Sequence, residues 1–98
     1  MADYMLLMHD DEADTGISQD WGAYLEKLRS AGVLRGGSAI GPGICVRRRG
    51  VAPGITAHLT GFIRVDARDI DHLRELLTGN PMLEAGGTVE IRELPRTD

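Results

Sequence analysis

Trp21, Tyr24, Leu25 and Leu28 recur at i, i+3, i+4 and i+7, the stripe of an amphipathic helix. That helix is flanked on both sides by strand-like stretches, and this alternation of periods limits the chain to layered α+β architectures. Tyr4 to His9 reads as a first strand, apolar on both faces and therefore central and buried. His9-Asp10-Asp11-Glu12 ends it with charge. Ser18 is placed to cap the helix, with Asp20 in its first turn favourable to the helix dipole, and Gly32 stops it.

Val33 to Ile40 reads as a second strand, in which Gly36-Gly37 predicts a bulge or the close approach of another backbone. Gly41-Pro42-Gly43 is a turn, Ile44 to Arg48 a further short strand, Gly50 to Gly54 a loop, and Thr56 to Val65 a longer strand. Asp69 caps a second helix that buries Ile70, Leu73, Leu76 and Leu77. Thr78-Gly79-Asn80-Pro81 ends it, Gly79 supplying a left-handed cap and Pro81 forbidding continuation. Thr88 to Leu94 alternates, with Val89, Ile91 and Glu93 on one face and Glu90, Arg92 and Leu94 on the other. The order β-α-β-β(-β)-α-β is that of the ferredoxin-like split βαβ arrangement with an antiparallel sheet. Such a sheet has helices on one face, and its bare face can be covered by a second copy in a two-fold homodimer.

Ninety-eight residues predict one domain, 1–98, and a chain so short is often stabilised by dimerisation. A net charge of -4 argues against nucleic acid, which requires clustered Lys and Arg. The basic run Arg47-Arg48-Arg49 reads as a strand end entering a turn, with an anion contact as the alternative. Cys45 is alone, which fits a reducing compartment, and its apolar neighbours Ile44 and Val46 predict a small core or interface residue. The apolar run after Asp3 ends at Met8, too short for a signal peptide or membrane span, so a cytoplasmic protein with no membrane partner is expected.

Three stretches, "YMLLMHDDE", "WGAYLEKLRSAGVLRGGSAIGPG" and "GNPMLEAGGTVEIRELP", resemble the YCII-related family, which includes a subgroup named for its DGPF motif. The likeness spans nearly the whole chain and implies the dimeric α+β barrel. It also implies where a site lies. In the branch of lyase type, a His near the start of helix one and an Asp before the helix-two proline are proposed as an acid–base pair. Those positions fall at Trp21 and Asn80 here, and neither side chain performs that proton transfer. Other relatives carry His after the proline, where this chain has Met82, and the DGPF motif is absent. The resemblance therefore implies that Asn80-Pro81-Met82 is punctuation beside a cleft more apolar than in the relatives, with Trp21, Asn80 and Met82 as candidate ligand contacts.

Among groups that carry chemistry, His9 followed by Asp10 at a strand end has the composition of a general base and its orienting carboxylate, with a polar strand terminus as the alternative. Helix one would bring Trp21 over them, where an indole can stack on a flat ligand. His58 is expected on one strand face with Thr56, Thr60 and Phe62, pointing into the barrel or the dimer interface as a further ligand contact or as packing. His72 falls off the apolar stripe of helix two, and Glu90 with Arg92 forms an i, i+2 surface pair. His9 and Asp11 would share a strand face, but no metal-ligand spacing and no phosphate-binding fingerprint appears, so neither metal nor cofactor is expected. Three functions remain: a dimeric module binding a small, largely apolar molecule; a small lyase- or isomerase-type enzyme using His9 and Asp10; and a regulatory or protein-interaction dimer.

Overall fold

The computed structural model describes residues 1–13 and 20–95. Its elements are β1 (Ala2–His9), α1 (Trp21–Ser30), β2 (Leu34–Ala39), β3 (Leu59–Ala67), α2 (Ile70–Leu76), α3 (Pro81–Glu84) and β4 (Val89–Leu94). The strands form one antiparallel sheet in the order β2-β3-β1-β4, consistent with a ferredoxin-like fold. Both inner strands are flanked on each side, as the apolar run of β1 predicts.

Alternation along β1 sends Tyr4, Leu6 and Met8 to one face, where they are buried with Ile63, Val65 and Ala67 of β3. Tyr24 and Leu28 of α1 and Leu73 and Leu76 of α2 close that layer. Inside it, the Tyr24 hydroxyl donates to the Leu76 carbonyl at 2.9 Å, tying α1 to α2 without leaving a buried donor unmatched. The opposite sheet face holds Met5, Leu7 and His9 with Phe62 and Arg64 of β3 and Glu90 and Arg92 of β4, and no described helix covers it.

The cap expected at Ser18 lies outside the described residues. Asp20 serves in that role: its carboxylate accepts from the Ala23 amide at 2.9 Å. The glycine pair of β2 behaves as its composition predicts. Register against β3 shifts between Leu34 and Gly36, and a Cβ on Gly37 would stand 2.6 Å from the Phe62 carbonyl oxygen. Only a residue without a side chain permits that approach.

Four expectations are corrected. No strand forms at Ile44 to Arg48; residues 40–58 are irregular, and Ile44 and Val46 are 85% and 86% exposed. Local alternation makes a strand only where a ladder partner exists, and β2 and β3 already pair with each other up to Ala39 and Gly61. Cys45, within that stretch, is exposed rather than in the core. Ile70 is 46% exposed because it opens α2, one turn short of the packed layer. Pro81 does more than end a helix. Leu77 rather than Gly79 caps α2, Gly79 at φ 88 redirects the chain two residues later, and Pro81 then opens α3, where its fixed φ and missing N–H are tolerated.

Candidate functional site

A cavity of about 460 Å³ lies between α1 and α3 on one side and the ends of β1, β2 and β3 on the other. Its apolar wall is built by Met8, Trp21, Leu25, Ile63 and Met82, with the backbone of Gly37 and Gly61 as floor. Each part has a local cause. Trp21 is the first residue of α1 and meets the Tyr24 ring edge-on, centroids 6.2 Å apart and planes at 75°, so its indole leans against an anchored phenol. Gly61 keeps its position open, because a Cβ there would meet the Ser38 carbonyl at 3.3 Å and the Met8 methyl at 3.6 Å. Met82 is held by α3, and the Gly86-Gly87 turn closes directly on it: a Cβ at Gly87 would stand 2.5 Å from the Met82 sulfur.

Glu12 enters this wall from the chain leaving β1. The neighbouring backbone is pinned on both sides. Asp10 N–H donates to the His58 carbonyl at 2.9 Å, and Ala13 N–H donates to the Ala85 carbonyl at 3.0 Å. Between them the Asp11 carboxylate accepts from Thr88 twice, from its hydroxyl at 2.6 Å and its amide at 2.8 Å. Those two bonds, the hydroxyl first, hold the Asp11 carboxyl below the ordinary carboxylate range. Glu12 Oε2 is buried and has no hydrogen-bond partner among the described residues. Among the described residues of the wall, Glu12 alone is titratable.

The residues singled out in the sequence divide between two places. Trp21 and Met82 line the cavity. Asn80 is fully buried one step behind it, where its carbonyl oxygen caps α3 by accepting from Leu83 N–H at 3.1 Å. It adjoins the Tyr24 hydroxyl, whose ionisation burial pushes above the ordinary phenol range. His9 lies on the opposite, helix-free sheet face and does not come under Trp21. The carboxylate that meets its ring is Glu90, with His9 Nε2 3.0 Å from Glu90 Oε1, while Asp10 is exposed at the strand end. His58 occupies the turn before β3 rather than the strand itself, and its ring stands 4.7 Å from the His9 ring at 68°. Arg92 completes the group by donating to the other Glu90 oxygen at 3.2 Å. The i, i+2 surface pair expected of Glu90 and Arg92 is thus present and extended by a histidine.

Chemically, the cavity can enclose an apolar body and present one carboxylate to it. The His9 cluster can hold an imidazole in a fixed orientation, but its members do not line the cavity. Among the described residues no group of three or more His, Cys, Asp or Glu side chains is placed to hold a metal, and no helix is long and apolar enough to cross a membrane. Sequence reasoning missed Glu12. Read as one of four polar residues ending a strand, it carried no periodic signal, and its placement depends on the distant partners Thr88 and Ala85.

No curated protein matches the chain. The family model of the YCII-related domain matches residues 2–97. With a match over nearly its full length, this chain belongs to the YCII-related domain family.

Proposed function

We propose that the protein is a cytoplasmic, homodimeric binding module whose single domain takes a small, largely apolar molecule into the cavity between its helices and sheet. The observation that carries this reading is the cavity itself. Its volume of about 460 Å³ lies in the range of small-molecule sites, and its wall is mainly aliphatic, aromatic and thioether. Trp21 and Met82, at positions where relatives resembling this chain carry reactive residues, contribute packing surface instead. The second copy belongs on the helix-free face, where Met5, Leu7 and Phe62 are only half-buried within one chain. Covering that face would give the dimeric α+β barrel.

Trp21 is the chain's one tryptophan, so its indole N–H gives a single resonance inside the proposed site. Small apolar aromatic compounds should move that resonance saturably, at one per subunit, and Met82→Trp should block them by filling the cavity. Light scattering should give twice the chain mass. If no compound moves Trp21 up to its solubility, or if Met82→Trp binds as well as the parent, the cavity is not a ligand site.

A further inference from the structure

The geometry points to a protonated amine on an apolar body as the ligand class, recognised by Glu12; this deepens the cavity reading and rests on it. Glu12 Oε2 is withdrawn from solvent and has no partner among the described residues, an arrangement that costs free energy unless something donates to it. The side chain is not there by looseness. The Asp11–Thr88 bonds and the Ala13–Ala85 backbone bond fix the chain on either side of it, so the Glu12 backbone is held beside the cavity while its neighbour Asp10 remains in water.

The other polar side chains of the wall select in the same direction. Ser38 donates its hydroxyl proton to the Ala39 carbonyl at 2.9 Å, and Thr60 donates its own to the Met8 carbonyl at 3.4 Å. With both protons turned to the backbone, neither hydroxyl is left to donate to a ligand, and the Trp21 indole N–H is the one side-chain donor that the described wall leaves for an acceptor. The described wall contains no Lys, Arg or His to receive an anion, and the chain's net charge of -4 repels one at long range. An ammonium group meets the opposite conditions: three donors, a charge of the right sign, and a carboxylate in a confined site where charge-assisted bonds are strong.

Three probes on one phenylethyl frame test this: phenethylamine, its isostere propylbenzene, and the larger anion hydrocinnamate, each titrated while following the Trp21 indole resonance. Phenethylamine should bind at least about tenfold more tightly than propylbenzene, the ratio given by one charge-assisted hydrogen bond, and hydrocinnamate more weakly than either. Glu12→Gln should abolish the amine's advantage over propylbenzene. If propylbenzene binds as tightly as the amine, or the advantage survives Glu12→Gln, the Glu12 assignment fails while the apolar cavity stands. If none of the three moves Trp21, the cavity reading fails and the amine assignment with it.

Discussion

His9 and Glu90 stand 81 positions apart in sequence and meet at 3.0 Å across the central and edge strands β1 and β4. The contact lies on the sheet face away from the cavity, with His58 against the imidazole and Arg92 on the second carboxylate oxygen. His9, Glu90 and Arg92 thus form a clasp between the two strands.

That clasp has a pH signature. The His9 bond, and after it the Arg92 bond, hold the Glu90 carboxyl below its ordinary value of 4.5. A depressed folded-state value stabilises the fold above the unfolded-state value, and the contribution disappears as pH falls through the folded-state value. The margin by which the parent exceeds Glu90→Gln in urea stability should therefore shrink as pH falls from above 4.5 through the lowered folded-state value. The margin should also shrink with added salt, as it does for half-exposed pairs. A margin that persists undiminished in acid would show that Glu90 acts through packing.

Asn80 is a structural cap, so its loss should be felt in stability and not in binding. Asn80→Ala removes the acceptor for Leu83 N–H and should cost about 1 kcal/mol by chemical denaturation. Affinity for an apolar probe, read at Trp21, should stay within twofold, about 0.4 kcal/mol. A variant of parental stability that has lost affinity would return Asn80 to the site.

Gly87 and Met82 offer a way to narrow the cavity from behind. The Cβ of Gly87→Ala would stand 2.5 Å from the Met82 sulfur and 3.1 Å from the Met82 carbonyl oxygen, so the wall residue must move. Overpacking of this kind should destabilise by about 1–3 kcal/mol and weaken apolar ligands. Gly41→Ala is the matched control: nothing lies within 4 Å of its Cβ, and its stability should change by less than about 0.5 kcal/mol. Equal behaviour of the two variants would show that α3 gives way freely.

Where periodicity and tertiary contact agree, the chain could be read directly. The stripe through Tyr24 and Leu28, the alternation of β4 and the bulge at Gly36-Gly37 all survive in three dimensions. Ile44-Cys45-Val46 has the same local alternation and forms nothing, because pairing is decided by neighbours that a short window does not contain. β1 is apolar on both faces, so its sequence could not say that Met8 points to the cavity and His9 away from it. Trp21 and Met82 were found through family resemblance, whereas Glu12 needed the pinning of Asp11 by Thr88 before its direction had meaning.

The register of β2 on β3 is locked at Gly37 and Gly61, where bare backbones close on each other, and not by the chain that joins the two strands. The exposed middle of that connection carries none of the alignment: a change of its length should leave the register of the two strands unchanged, while its last residue, His58, still holds Asp10.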